Sequence, residues 1–186
     1  MIVMKKIYEY EKKCLISEKN FLNLINKYNY LNKEEQINYY FDFNNFFKNK
    51  NQALRIREIN NTYELTLKTK ENNCNSEINI NIDFNDYNYI LNNLCLPNNI
   101  CEKLNLNQFT FNSLITIKTI RYKINYKNTI IELDKNFFNN YIDYEIEVES
   151  FSLDEASNIL SEFLNENNID FCPSKAKIAR AISYLN

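Results

Sequence analysis

Charged and apolar side chains alternate with a period of two residues along much of this 186-residue chain. The segment YEYEKK places Glu9, Glu11 and Lys13 at every second position, and DYEIEVES repeats the pattern with four acids. Successive side chains of a β-strand point to opposite faces of the sheet, so each such segment has one charged and one apolar face. The alternation therefore predicts an antiparallel sheet whose apolar face packs against helices.

About eight strands with short connections, and helices outside them, are predicted, which is an α+β arrangement. The strands are expected over residues 7–16, 36–43, 53–59, 62–70, 76–81, 114–126, 128–138 and 141–150. The helices are expected over residues 17–29, 84–94, 152–168 and 173–185. Ser152 is expected to cap the third helix, and Pro173 is expected in the first turn of the last one. No linker or domain boundary is evident, so residues 1–186 are predicted to form one domain.

The chain contains no Gly and no His. Without Gly, the P-loop, the GxGxxG turn and the GxSxG elbow are excluded in their usual forms. Without His, Ser-His and Cys-His catalysis and His-ligated metals are excluded as well. A bound metal would need oxygen ligands, which favours Mg²⁺, Mn²⁺ or Ca²⁺. Asn is abundant and is expected to take the left-handed turn positions that Gly would normally occupy, including Asn60 and Asn61.

The net charge of −2 gives no basic excess, so no nucleic-acid partner is expected. No run approaches the roughly 20 apolar residues of a transmembrane helix, and MIVMKK is too short for a signal peptide. The five cysteines include no CxxC pair and are predicted to be reduced. We therefore expect a cytoplasmic protein with no membrane partner.

The charges segregate by strand. Acidic residues dominate the first strand and the last two, whereas Arg and Lys dominate the middle ones, with Arg55 and Arg57 on a single strand. One explanation is an open sheet whose charged face is simply solvated. The other is a sheet of eight strands that closes with its charged face inward. Such an interior would bind phosphate oxygens through Arg and Lys and a divalent metal through carboxylates.

The motif Glu9-x-Glu11-x-Lys13 resembles the ExExK signature of the CYTH domain, a family also called the triphosphate tunnel metalloenzymes. NYYFD, ALRIRE, YELTLK, IELD, YEIEVE and SKAKIARA follow in the family's order, and the chain is most similar to CYTH proteins of low-GC Gram-positive bacteria. The resemblance implies an eight-stranded antiparallel closed β-barrel with helices packed outside. It also implies a metal-dependent triphosphatase that hydrolyses the phosphoanhydride of inorganic triphosphate or a triphosphate ester. The absence of Gly departs from the family and leaves the loop geometry open.

The resemblance further implies roles for individual side chains. The residues implied in catalysis are Glu9, Glu11, Lys13 and Lys175. The residues implied in phosphate binding are Arg55, Arg57, Lys68, Lys70, Arg121, Lys123, Lys177 and Arg180. The ligands implied for Mg²⁺ or Mn²⁺ are Glu9, Glu11, Asp134, Glu145 and Glu147.

The expected partner is inorganic triphosphate, ATP or thiamine triphosphate, bound by a monomer or a homodimer. Two alternatives stay open. A CYTH-type (class IV) adenylate cyclase would need an adenine pocket and would release pyrophosphate. A non-catalytic module that senses nucleotide or polyphosphate would need the basic residues but not the complete acidic set.

Overall fold

The protein forms a closed barrel of eight antiparallel strands in a computed structural model that describes residues 4–185. The strand order around the barrel is β1-β5-β4-β3-β2-β6-β7-β8. The strands are β1 (Met4–Ile16), β2 (Tyr30–Asp42), β3 (Gln52–Ile59), β4 (Thr62–Lys70), β5 (Asn75–Ile82), β6 (Ser113–Tyr126), β7 (Thr129–Phe138) and β8 (Tyr141–Ser150). The helices are α1 (Glu18–Lys27), α2 (Phe46–Asn49), α3 (Phe84–Asn93), α4 (Asn98–Leu104), α5 (Leu153–Glu166) and α6 (Lys177–Leu185). The predicted α+β fold and closed barrel are confirmed.

Asn takes the place of Gly in the turns. Eight of the ten residues with positive φ within the described chain are Asn, and the other two are Leu94 and Lys127. Asn60 and Asn61 have φ of 48° and 60° and form the two-residue connection between β3 and β4. A two-residue hairpin whose central residues both have positive φ matches the right-handed twist of its strands. The prediction that Asn supplies the left-handed positions is thus confirmed.

Several predicted boundaries differ from the structure. β2 begins at Tyr30 rather than at residue 36, and the short helices α2 and α4 were not predicted. The prediction that Pro173 lies in the first turn of the last helix is wrong, because α6 begins at Lys177. Pro173 instead forms an isolated β-bridge with Cys14, beside a 2.8 Å hydrogen bond from the Leu15 amide to the Cys172 carbonyl. The chain therefore stays extended along β1 before the helix starts. The expected cap of α5 is confirmed, since Ser152 Oγ accepts a 3.2 Å hydrogen bond from the Glu155 amide.

The chain divides into two compact units, the first of which comprises Met1–Tyr8 and Ile37–Thr116. Its core is the apolar face of β3, β4 and β5, packed against α3 and α4. Leu54, Ile56 and Leu65 on the strands are fully buried with Ile90 and Ile100 on the helices. Each such side chain contributes roughly 1.5–3 kcal/mol by leaving water. Burial of this face leaves the polar residues of the same strands on the opposite face.

The second unit comprises Glu9–Gln36 and Ile117–Asn186. Its core joins the apolar faces of β1, β6, β7 and β8 to α1 and α5. Leu133 and Ile146 on the strands are buried with Phe21, Leu160 and Phe163 on the helices. The acidic residues of β7 and β8 consequently lie on the face away from these helices. None of the helices within residues 4–185 is long and apolar enough to span a membrane.

Candidate functional site

A row of polar side chains crosses β2 to β5 in the first unit. The strand register sets Tyr40 opposite Arg55, Arg55 opposite Thr66, and Thr66 opposite Asn79. Residues that lie opposite each other in antiparallel strands project from the same face of the sheet. By the same parity Arg57 lies on this face, so two predicted phosphate-binding residues share it.

Arg55 is held on this face mainly by neutral partners. Its Nη2 donates to Thr66 Oγ1 at 3.4 Å, and its Nε is buried without a hydrogen-bond partner in the described part of the chain. Burial alone would lower the pKa of Arg55, but Tyr40 and Glu77 raise it above its ordinary value. Arg55 therefore stays charged while one of its donors has nothing to bind. A guanidinium with an unused donor is suited to an anion.

The other predicted phosphate-binding residues of this unit have different surroundings. Arg57 Nε donates to Asn38 Oδ1 at 3.0 Å, and Lys68 Nζ lies 2.9 Å from Glu77 Oε1. Lys70 is exposed at the end of β4. Arg55, Arg57 and Lys68 therefore form the basic face of the first unit, and Lys70 lies at its margin.

In the second unit, Glu9, Glu11 and Glu149 bring three carboxylates together. The register of β1 and β8 sets Glu11 opposite Glu149, and one oxygen of each carboxylate lies within 4.8 Å of the others. Desolvation at the carboxyl and the negative charges of Glu9 and Glu132 raise the pKa of Glu149 to about 7, although part of its side chain is exposed. Carboxylates thus outweigh cations around Glu149. The predicted metal ligands did not include Glu149, even though it continues the alternation of the other β8 acids.

A second carboxylate group consists of Asp134, Glu145 and Glu147. The three residues are buried, and their oxygens also lie within 4.8 Å of one another. Arg121 donates from Nε and Nη2 to both oxygens of Asp134 at 2.7 Å, and Nη2 also reaches Glu147 at 2.6 Å. Arg121, which was predicted to bind phosphate, is therefore already engaged by protein carboxylates.

Helix α6 adds two more cations to this second group. Lys177 Nζ lies 2.8 Å from Asp134 and 2.5 Å from Glu145, and it also contacts Glu147. Arg180 Nη1 lies 2.9 Å from Glu145, and its Nε donates to Asp143 at 2.7 Å. Burial alone would lower the pKa of Lys177, but the surrounding carboxylates raise it above its ordinary value. These ion pairs fasten α6 to β7 and β8.

The remaining predicted residues lie at the edges of these groups. Lys13 Nζ is 2.9 Å from Glu11 and 2.8 Å from Glu147, so it touches both carboxylate groups. Lys123 Nζ lies 3.4 Å from Glu34 Oε1 and 3.9 Å from Glu132 Oε1. Lys175, predicted to act in catalysis, is exposed in the segment before α6, two residues from the buried contacts of Lys177.

Both groups offer the carboxylate oxygens that Mg²⁺ and Mn²⁺ prefer, but their charge balance differs. In the second group, Lys13, Lys177 and Arg121 outweigh the effect of burial and hold the pKa of Glu147 well below its ordinary value. In the first group, desolvation and then the negative charges of neighbouring carboxylates raise the pKa of Glu149. A divalent cation therefore fits the group formed by Glu9, Glu11 and Glu149, where its charge is needed.

Comparisons with known proteins agree with this architecture. The family model described as the CYTH domain matches residues 8–182. A Bacillus halodurans protein described as a putative adenylate cyclase is 28% identical, with a TM-score of 0.84, covering 94% of this chain and 97% of that one. A Hippeastrum protein described as a putative adenylyl cyclase with a dominant triphosphatase activity is 21% identical, with a TM-score of 0.73, covering 95% of this chain and 96% of that one. The PH1819 protein of Pyrococcus horikoshii is 20% identical, with a TM-score of 0.67, covering 95% of this chain and 99% of that one.

No curated protein matches the chain. The family match nevertheless covers most of its length and includes the ExExK residues Glu9, Glu11 and Lys13. This chain belongs to the CYTH domain family.

Proposed function

We propose that this protein is a divalent-metal-dependent triphosphatase that hydrolyses the phosphoanhydride of inorganic triphosphate or a triphosphate ester. The observation that carries the proposal is the group formed by Glu9, Glu11 and Glu149. Desolvation, together with the negative charges of neighbouring carboxylates, raises the pKa of Glu149 to about 7, and a bound Mg²⁺ or Mn²⁺ would offset that negative charge. A protein that only sensed an anion would gain nothing from such a group.

The chemistry of the chain's own residues supports the same activity. A divalent ion on Glu9, Glu11 and Glu149 would polarise a phosphoryl oxygen and orient a water molecule. Lys13 holds the Glu11 carboxylate through its 2.9 Å ion pair. The basic face of the first unit supplies donors for phosphoryl oxygens, and the Arg55 Nε donor lacks a partner within residues 4–185. Phosphoryl transfer depends mostly on positioning and charge stabilisation, so it needs neither His nor a Ser nucleophile.

A CYTH-type adenylate cyclase is the second candidate, because the Bacillus halodurans protein is described as a putative adenylate cyclase. The Hippeastrum protein, whose likeness to this chain rests on the fold, is described by a dominant triphosphatase activity instead. The products separate the two reactions. A triphosphatase releases phosphate, whereas a cyclase releases pyrophosphate and a cyclic nucleotide.

The test is a product analysis with inorganic triphosphate, ATP and thiamine triphosphate, each with Mg²⁺ and with Mn²⁺. We expect metal-dependent phosphate release, fastest with inorganic triphosphate, and its loss in Glu149→Gln. Glu102→Gln, which changes an exposed acid on α4, is the matched control and should keep wild-type turnover. Cyclic nucleotide with pyrophosphate would favour the cyclase, and binding without turnover of any compound would contradict both enzymes.

A further inference from the structure

We propose that Asn79 on β5 is a further substrate-binding residue, which completes with Arg55 a subsite for one phosphoryl group. The inference rests on the proposed function, because it assigns a further contact to the same polyphosphate. Asn79 was not among the residues predicted to bind phosphate or metal. Its position and its unused hydrogen-bonding capacity carry the argument.

The position of Asn79 follows from the strand register. Asn79 lies opposite Thr66, and Thr66 lies opposite Arg55, so the three side chains form one row on the polar face of β3, β4 and β5. The neighbours of Asn79 in the chain, Ile78 and Ile80, belong to the opposite, apolar face. Asn79 is therefore held on the basic face by the packing of its own strand.

Arg55 and Asn79, which flank Thr66 in this row of three, each have a side-chain polar atom that makes no hydrogen bond within the described chain. Among the described residues, the side-chain N and O atoms that are buried without a hydrogen-bond partner include Arg55 Nε and Asn79 Oδ1. Thr66 between them is buried, and its hydroxyl already accepts from Arg55 Nη2. Buried polar atoms without partners are rare in folded proteins and usually have a functional explanation. Two such atoms in one row indicate that the row is completed by a ligand.

The chemistry of the row indicates which ligand. A carboxamide exchanges its carbonyl oxygen and its amine when it rotates by half a turn about its last torsion, and the two ends have nearly the same shape. Because the cationic Arg55 lies in the same row, one strand beyond Thr66, an anion is the favoured occupant, so Asn79 presents its amine. The Arg55 Nε–H and the Asn79 amine are then two donors for the oxygens of one phosphoryl group.

The experiment titrates inorganic triphosphate, without metal, into the wild-type protein and into Asn79→Ala, Asn79→Asp and Asn81→Asp by calorimetry. Asn81→Asp adds the same charge two residues along the same face, at an exposed position. We expect about tenfold weaker binding for Asn79→Ala. Asn79→Asp should bind more weakly still, because it keeps an acceptor, loses the donor and adds a repelling charge. Asn81→Asp should stay within about twofold of wild type.

Two binding results would overturn the inference about Asn79 without contradicting the proposed function. Asn79→Ala could bind as the wild type does, or Asn79→Asp could bind as Asn81→Asp does, which would mean that Asn79 accepts from a hydroxyl or touches no substrate. The melting temperature of ligand-free Asn79→Ala guards against a folding defect. It should equal or exceed that of the wild type, because the variant removes a carboxamide that has a buried polar atom without a partner among the described residues. A lower value would assign Asn79 a structural role, and a wild-type protein that binds no triphosphate would contradict the proposed function as well.

Discussion

Arg55 in the first unit and Arg121 in the second both project from the charged face of a strand, yet their surroundings are opposite. Arg121 is buried and contacts three carboxylates, Asp134, Glu132 and Glu147. Arg55 donates to the hydroxyl of Thr66, and its Nε lacks a partner within residues 4–185. The same residue type therefore has two different roles. Arg121 neutralises carboxylates that the fold buries, whereas Arg55 retains an Nε–H donor for a ligand.

The comparison teaches that sequence parity locates a charged face but not the use of each charge. A buried ion pair that is fully hydrogen-bonded holds its members in place, and removing one partner leaves an uncompensated charge. Arg55 donates to a hydroxyl, and the nearby buried carboxylate of Glu77 keeps its own ion pair with Lys68 when Arg55 is removed. Stability and ligand binding should therefore respond in opposite ways at the two positions.

The largest expected effect is on stability at Arg121. Arg121→Met leaves Asp134 and Glu147 buried with less positive charge around them, and we expect the free energy of unfolding to fall by about 3–5 kcal/mol. Urea unfolding followed by circular dichroism measures the change. Arg55→Met is the matched control and should unfold within about 1 kcal/mol of wild type. Equal losses in the two variants would remove the distinction between the two arginines.

The next effect is on binding at Arg55. Arg55→Met should weaken the affinity for inorganic triphosphate by about tenfold to a hundredfold, because a charge-assisted hydrogen bond to a phosphoryl oxygen is lost. Lys70→Met removes a positive charge from the exposed end of β4 and serves as the control, with an expected change of at most a few-fold. Calorimetric titration checks both values. A larger loss in Lys70→Met would place the phosphate contacts at the margin of the basic face.

A smaller effect is expected on the pH dependence of stability when Glu149 is replaced. Its folded-state pKa of about 7 lies above the ordinary value of 4.5, so the folded protein holds this proton more tightly than the unfolded chain. The resulting stabilisation is complete below about pH 4.5 and is lost as the pH rises through 7. Without metal, Glu149→Gln should therefore melt about 2 °C above the wild type at pH 8, with a smaller difference at pH 5.

Calorimetric melting curves at the two pH values, with and without Mn²⁺, test this prediction. Added Mn²⁺ should raise the melting temperature of the wild type at pH 8 more than that of Glu149→Gln, because a ligand stabilises the state that binds it. A Glu149→Gln variant that is less stable than the wild type at pH 8 without metal would show that the carboxylates are not in excess there.

The smallest effect is expected at Lys175. The side chain is exposed, so Lys175→Ala should change the free energy of unfolding by no more than about 0.5 kcal/mol. Lys177→Met, two residues on, should lose several kcal/mol because it strips a cation from three buried carboxylates. Denaturant unfolding compares the two variants. With stability unchanged, the turnover of Lys175→Ala then reports on the predicted catalytic role of Lys175.

Most of the barrel could be predicted from the sequence, because the faces of a strand and the turn between two strands depend on residues that are close together in the chain. Alternation fixed the faces of β3, β4, β7 and β8, and Asn60 and Asn61 marked a hairpin through their backbone preference. The short helices α2 and α4 lack enough turns to show a helical period. β2 begins with YLNKEEQ, whose polar run conceals the alternation. The extended course at Pro173 depends on pairing with Cys14, far away in the chain.

The sequence could predict which side chains of the candidate site share a strand face, but it could not predict which of them contact each other. Parity places Glu145, Glu147 and Glu149 on one face of β8, yet only the neighbouring strands and α6 decide which of them meet cations. Lys175 and Lys177 are equally basic in sequence, and only the start of α6 buries one of them. Asn79 carries no charge, so no charge pattern could single it out.

The central claim is that Glu9, Glu11 and Glu149 hold the divalent cation of a triphosphatase. Mn²⁺ titration, followed by the electron paramagnetic resonance signal of the free ion, tests it most directly in the wild type, Glu149→Gln and Glu102→Gln. We predict one Mn²⁺ site in the wild type and in Glu102→Gln, and at least tenfold weaker binding in Glu149→Gln, with a parallel loss of phosphate release from inorganic triphosphate. Undiminished Mn²⁺ binding and turnover in Glu149→Gln would contradict the claim.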